Sequence, residues 1–383
     1  MKRSFRTAAG DGGRPDVCIV GLGLIGASLG VAWRRSGAVG RLTGVDPDAR
    51  ARAVAVARAA VEQAEPDLPA TLPQADVIVL AAPVDAVLDM AEAVVTAARP
   101  GAIITDVCSV KRPIVERYQR ALRQKDGVAF VGGHPMAGSE RQGAEAADPL
   151  LFENAAYVLT PTPETDAAAV AAVEALVRAL GAHPVRLDPE AHDRAVAAAS
   201  HLPQLVATAL MLTVGRQRIE AGSGAISPVA LAGGGLRDTT RIAASPARLW
   251  RDILLTNADE ILRQLDRFEE TLAALRRALG AGDGAALTAL FDEAARLRAG
   301  VRARQRELLP RWPELSVRLA DRPGALADVT GVLARAGLNI ADIEIVRTRE
   351  GDPGAVRIAL AGDGDVQVAA QVLREAGFEV NIR

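Results

Sequence analysis

The sequence predicts an α/β chain in three successive parts: a doubly wound, mostly parallel sheet, an all-helical segment, and a small α+β module. Three observations predict it. Short apolar runs alternate with helical stretches as far as Leu187. Strand-like runs then stop between Pro189 and about Leu309. Beyond the breaker cluster Pro310 to Pro313 they return in the order β-α-β-β-α-β, the ferredoxin-like pattern.

Taken in order, Asp16 to Val20 is an apolar run ending at glycine, which reads as a buried parallel strand. Ser28 to Ser36 reads as a helix, Arg41 to Asp46 as a second strand, and alanine-rich Arg50 to Ala64 as a helix. Asp76 to Pro83 and Ala102 to Asp106 are further strands, separated by a helix from Ala86 to Ala98. Ile114 to Gln124 is helical, Ala129 to Gly132 and Ala156 to Thr160 are strands, and Ala167 to Leu180 closes the part as a helix.

The middle part carries helical spacing over Ala191–Arg218, Pro246–Leu279 and Ala285–Leu308. Helices with so much apolar face bury it against a partner subunit, so a homodimer is expected. In the last part, strands are expected at Glu314 to Leu319, Ile340 to Thr348, Ala355 to Leu360 and Phe378 to Ile382, with helices at Gly324 to Ala336 and Val366 to Ala376. The expected division is a disordered tail over 1–15, a sheet domain over 16–187, a helical domain over 188–310 and the small module over 314–383.

Composition narrows the function classes. With 383 residues, 49% hydrophobic and 24% charged, the chain can bury a large core and stay in solution. A net charge of −2 and 3% aromatic residues give no reason to expect nucleic acid or an anionic membrane. No run of about 18 apolar residues suggests a membrane span. The basic start Met1 to Arg6 lacks the apolar core of a secretory signal. Cys18 and Cys108 have no metal-ligand spacing and read as reduced, buried residues, so a cytoplasmic location is expected. No trio of His, Cys and carboxylate has ligand spacing, so no metal is expected.

Gly21-Leu22-Gly23-Leu24-Ile25-Gly26 follows the first strand and opens the first helix, the Rossmann-type dinucleotide fingerprint. Gly21 allows the tight turn, Gly23 lets the backbone approach a pyrophosphate, and Gly26 lets helix and strand pack closely. The helix N-terminus presents free N–H groups to the phosphates. Asp46 ends the second strand about 20 residues on, where a carboxylate accepts the ribose hydroxyls and repels a 2′-phosphate. NAD is therefore expected over NADP, although the neighbouring Arg50 could contact a phosphate. Pro83 and Ser109 complete the expected cofactor site.

Two polar clusters follow strands of the sheet: Asp106 to Lys111, containing Ser109, and Gly132 to Glu140, containing His134. Ligands of open α/β sheets bind outside the carboxyl ends of the strands, so Ser109 and His134 are expected to meet near the nicotinamide. A neutral imidazole suits the removal of a hydroxyl proton near pH 7, which an alcohol requires as hydride leaves its carbon. Ser109 could otherwise cap the helix after Pro113. The helical part offers Ser200-His201-Leu-Pro-Gln204 and Gly233 to Arg241, where Arg237 could grip a carboxylate. Arg237-Asp238 could equally be a surface ion pair. His192-Asp193 reads as helix packing or a gating ion pair, and His183 as a surface or turn residue.

His134-Pro-Met-Ala-Gly-Ser-Glu140, Ser200-His201-Leu-Pro and Gly235-Leu-Arg237-Asp-Thr-Thr-Arg241 together resemble the prephenate/arogenate dehydrogenase family of tyrosine biosynthesis, over roughly residues 16–310. The resemblance implies that His134 and Ser109 meet the ring hydroxyl, Ser109 also meeting the nicotinamide, and that Arg237 binds a substrate carboxylate. Ser200, His201 and Gln204 would join it, although His201 could equally support Ser200 without touching the substrate. Many prephenate-using members carry a second histidine where this chain has Gln204. Gln204 could donate to the keto oxygen of prephenate or accept from the ammonium of arogenate.

Leu319 to Leu326, followed by Gly337-Leu-Asn339-Ile340, resembles an ACT regulatory domain. That resemblance implies an amino-acid effector, tyrosine, bound around Asp321, Pro323, Gly324, Ala325, Asn339 and Ile340. Two rivals differ in chemistry. Other dehydrogenases with a helical domain place a catalytic lysine there, but residues 189–279 contain none. A non-catalytic amino-acid sensor would have no need of Ser109, His134 and Arg237.

Overall fold

The computed structural model describes residues 13–68, 71–138, 141–221, 224–301, 313–320, 322–346, 354–360 and 362–382. Most of the expected N-terminal tail, residues 139–140, the 310–312 part of the linker and Asp321 lie outside them. The chain divides into two compact units, Met1–Arg296 and Leu297–Arg383.

In the first unit, β1 (Val17–Val20), β2 (Leu42–Val45), β3 (Gln63–Glu65), β4 (Val77–Leu80), β5 (Ile103–Asp106), β6 (Ala129–Pro135), β7 (Ala156–Thr160) and β8 (His183–Arg186) form one sheet. Its order is β3-β2-β1-β4-β5-β6-β7-β8. All neighbours are parallel except β6 and β7. The apolar strands read as continuous runs because both faces are covered. Ile19, Val79 and Val131 point into a core with α1 (Leu24–Ser36) and α6 (Ala167–Arg178). Cys18, Ile78 and Ile104 point to the other face, against α3 (Val84–Asp89), α4 (Ala91–Ala97) and α5 (Arg112–Leu122). Trp33 on α1 donates to the carbonyl of Leu176 on α6 (2.9 Å), tying the two helices over one face.

Several boundaries differ from the sequence reading. The helix expected over Arg50 to Ala64 is α2 (Ala49–Ala57), which stops where Ala59 turns to φ 56° and the chain enters β3. His183, expected in a turn, starts the edge strand β8. The two cysteines are free and buried.

The helical part begins with α7 (Pro189–Val196), passes through a π turn at Ala197–His201, and continues as α8 (Leu202–Gly215). α9 (Gly234–Thr240), α10 (Ala247–Thr256), α11 (Ala258–Gly280) and α12 (Gly284–Ala299) follow. One feature departs from an all-helical reading: β9 (Ile219–Ala221) and β10 (Gly224–Ile226) pair as a short antiparallel hairpin. The run Pro189–Gly215 is also long and apolar enough, by length and composition, to cross a membrane, with mean hydropathy 1.5. It is not an unbroken apolar run, since His201 and Gln204 interrupt it and Glu190 to Arg194 open it. The same run carries His192, Asp193 and His201 fully buried, which are marks of a helix packed within protein.

The second unit is a four-stranded antiparallel sheet in the order β12-β13-β11-β14: β11 (Glu314–Arg318), β12 (Ile340–Val346), β13 (Ala355–Leu360) and β14 (Val380–Ile382). Helices α13 (Ala325–Arg335) and α14 (Asp363–Glu375) share its core of Leu315, Val317, Val329, Leu333, Ile358 and Leu373.

Candidate active site

The strand order reverses between β1 and β4, which opens a crevice at their carboxyl ends. A cavity of about 670 Å3 lies there, lined among others by Gly21, Gly23, Asp46, Leu68, Pro83 and Met90. Gly21 sits at φ 97°, and a Cβ on it would stand 2.5 Å from the carbonyl oxygen of Ala81. A Cβ on Gly26 would stand 2.0 Å from the carbonyl oxygen of Gly21, so the first turn of α1 closes only over glycine. Nothing lies within 4 Å of a Cβ on Gly23, which leaves open space for a phosphate above it. Leu24 and Ile25 open α1, whose N-cap Gly23 has no side-chain partner for the free amides. The Asp46 carboxylate accepts from the N–H of Leu22 and of Asp48, both at 2.8 Å, and so is fixed beside the glycine turn. Arg50, the cation that could have met a 2′-phosphate, pairs with Glu145 at 2.9 Å. These residues fit a dinucleotide with an unphosphorylated ribose.

A second cluster gathers where β5 and β6 end. Lys111 is fully buried and pairs with Asp106, also fully buried. The two clamp one peptide: Gly133 N–H donates to Asp106 (3.0 Å), and the Lys111 ammonium donates to the Gly133 carbonyl (2.6 Å). A Cβ on Gly133 would stand 2.6 Å from the Asp106 carbonyl oxygen, so the clamp closes only over glycine. His134 is the next residue, and the clamp fixes where its side chain leaves the sheet.

His134 Nδ1 lies 2.8 Å from His192 Nε2 on α7. His192 Nδ1 in turn lies 2.8 Å from an Asp193 oxygen. The Asp193 carboxylate also accepts the Lys111 and Arg112 N–H groups, at 2.7 and 2.9 Å, and so caps α5. Ser109 therefore does not cap that helix. It sits half-buried beyond β5, with no hydrogen bond to its side chain among the described residues. Burial, reinforced by the Lys111 ammonium and by the neighbouring His192 and His201 rings, which oppose a second positive charge, holds the His134 imidazole well below its usual value. Burial and the Asp106 carboxylate push the Cys108 thiol up, which leaves it inert.

The π turn carries Ser200 and turns His201 inward. Asn257 Nδ2 donates to the Asp193 carbonyl (3.0 Å) and lies 3.3 Å from His201 Nδ1. The His201 ring meets Trp250 edge-on at 6.0 Å. Gln204 is buried, donates through Nε2 to the Ile242 carbonyl (2.9 Å), and leaves Oε1 without a partner among the described residues. Arg237 is exposed on α9. No hydrogen bond or ion pair among the described residues joins Ser200, Gln204 or Arg237 to His134. Sequence reading missed Lys111, Asn257 and the link from His192-Asp193 to His134; the adjacent pair His192-Asp193 was the signal it offered. Among the described residues no group of three His, Cys or carboxylate side chains could hold a metal.

In the second unit, Gly324 caps α13 at φ 85° and Ala325 is buried beneath it. Pro323 and Asn339 are exposed, and Ile340 begins β12.

Comparison with known proteins places the chain in context. Residues 29–186 match the family model described as prephenate dehydrogenase, nucleotide-binding domain; residues 188–293 match prephenate dehydrogenase, dimerization domain; and residues 314–378 match the ACT domain. A prephenate dehydrogenase of Bacillus subtilis is 34% identical over 360 residues, covering 93% of this chain and 95% of that protein. A crystal structure of Aquifex aeolicus prephenate dehydrogenase in complex with hydroxyphenyl propionate and NAD+ superposes with TM-score 0.69 at 30% identity, covering 75% of this chain and 98% of the other. The crystal structure of Synechocystis arogenate dehydrogenase does so with TM-score 0.64 at 35% identity, covering 74% and 99%.

Proposed function

Because the chain belongs to the prephenate dehydrogenase family of oxidoreductases, we propose that it catalyses the NAD-dependent oxidative decarboxylation of prephenate to 4-hydroxyphenylpyruvate. The observation that carries this is His134, an imidazole kept neutral by burial at the end of β6, in the same sheet whose β1 and β4 ends open a glycine-lined dinucleotide crevice. NAD, held by the Gly21–Gly26 turn and Asp46, supplies the hydride acceptor.

The chain's own residues do the rest. His134 takes the ring-hydroxyl proton as the C–H bond of the same carbon gives up its hydride. The opposite ring carboxylate leaves as carbon dioxide, and its bonding pair completes the aromatic ring. The proton held on His134 returns to the phenolic oxygen, so atoms and charge balance. Ser109, free of the capping role, has its hydroxyl available to the substrate hydroxyl. Arg237 supplies the cation for a substrate carboxylate, with Ser200 and His201 in the adjoining wall.

Arogenate is the second reading, and the orphan acceptor of Gln204 favours it. Nε2 gives one of its two N–H groups to Ile242, while Oε1 has no partner among the described residues, and that unmatched acceptor suits an ammonium better than a keto oxygen. NADH formation with each substrate decides between them by the ratio of kcat/KM. A His134→Asn variant that binds NAD but retains near-normal turnover would remove His134 from its role.

We further infer a homodimer formed through the helical part. Exposed Leu212, Leu255, Leu272, Leu279 and Phe291 support it, as does the weak burial of the apolar run Pro189–Gly215. The small module is read as binding tyrosine as feedback inhibitor. A cytoplasmic location accords with two buried thiols left unpaired.

A further inference from the structure

We propose that His192 and Asp193 are positioning residues that hold His134 in one tautomer, with the proton on Nδ1 and Nε2 bare toward the substrate. This rests on the reading of His134 as the base. The argument runs inward from the carboxylate, which can only accept. One Asp193 oxygen already takes the Lys111 N–H at 2.7 Å, and His192 Nδ1 reaches the same oxygen at 2.8 Å. Nδ1 of His192 must therefore be its donor, and the neutral ring presents a bare Nε2. That nitrogen is the one 2.8 Å from His134 Nδ1. A hydrogen bond between them needs one proton, and His134 supplies it from Nδ1. Its own Nε2 is left as the acceptor.

The consequence for turnover is specific. A histidine with its proton on Nε2 would offer the substrate hydroxyl a donor where an acceptor is needed. When His134 accepts the hydroxyl proton at Nε2, the positive charge it gains faces His192 and, behind that ring, Asp193. The order carboxylate, imidazole, imidazole also explains why two adjacent polar residues of α7 are fully buried. The carboxylate is indispensable elsewhere, since it caps α5 through Lys111 and Arg112. The variants are therefore made at His192.

The chain has four histidines, so nitrogen-15 labelling of histidine in the full-length protein with NAD gives an assignable spectrum. Each is assigned by its single substitution. The expected result is His134 protonated on Nδ1 in the wild type. His192→Leu should release that tautomer and lower kcat by about a hundredfold, with KM and the NAD Kd within about twofold. His192→Gln, whose carbonyl can still accept from His134 Nδ1, should hold the tautomer and recover part of the rate. Finding the proton on Nε2 of wild-type His134, or a kcat for His192→Leu within about twofold of wild type, overturns the proposal. The spectrum needs no substrate. Failure to oxidise prephenate or arogenate would therefore sink the assigned reaction while leaving the tautomer question decided on its own.

Discussion

His201 is the residue whose environment most plainly sets a pH dependence. Burial outweighs the nearby Asp193 carboxylate and lowers its imidazole from 6.5 to about 4. The unfolded chain then binds more protons than the folded one between these values, so stability rises with pH across that window. Going down in pH, stability is lost from about 6.5 and the loss is complete near 4, where it reaches about 3 kcal/mol. Urea unfolding should show this in the wild type, and His201→Gln should show about 2 kcal/mol less loss between pH 7 and about 4.5. Equal losses in both proteins would dismiss His201 as a source. Burial also holds the His134 imidazole well below its usual value, so the acid limb of kcat/KM should lie well below pH 6.5. The residue scale also marks where sequence stopped being informative. His134 and the glycine turn sit in contiguous motifs whose chemistry is local. The contact of His192 with His134 spans 58 positions and depends on which face of α7 meets the end of β6.

Elements were legible wherever periodicity was long, and illegible where an edge or a turn replaced it. β1 and β4 are apolar throughout, and β5 opens on Ile103 and Ile104, because both faces are covered. β3 has only Gln63, Ala64 and Glu65, which lack any β-branched side chain, and it pairs on one side. The β9–β10 hairpin has three residues per strand, and Ile219, Glu220 and Gly224 to Ile226 are all exposed, so burial leaves no alternation to read there. Nor does any periodicity announce the junction of β5, α5 and β6, which is built around the buried Lys111–Asp106 pair. Removing one partner of such a pair leaves the other charge buried and unpaired. Lys111→Met should therefore cost about 3–5 kcal/mol in urea unfolding. It should also loosen the Gly133 peptide that aims His134, so kcat should fall more than the NAD affinity. A cost below about 1 kcal/mol would mean that the clamp does not hold the turn.

At the scale of the whole molecule, the two units have separate cores, and Leu315, Val329, Ile358 and Leu373 close the second on its own. Their independence makes the regulatory reading testable by removal. Gly324 holds φ 85° at the start of α13, a conformation that admits a ligand close to the backbone and that a side chain would strain. If tyrosine acts there, a chain ending at residue 312 should keep the full chain's kcat and KM and lose the inhibition. Gly324→Val in the full-length protein should do the same, with nothing within 4 Å of its Cβ to disturb the core. The competing site is the active site itself, where tyrosine shares a ring hydroxyl and a carboxylate with the product. Inhibition there would be competitive with prephenate and would persist in both variants. Equal inhibition of the full chain, the truncated chain and Gly324→Val would therefore assign tyrosine to the active site at His134 and leave the second unit without an effector role.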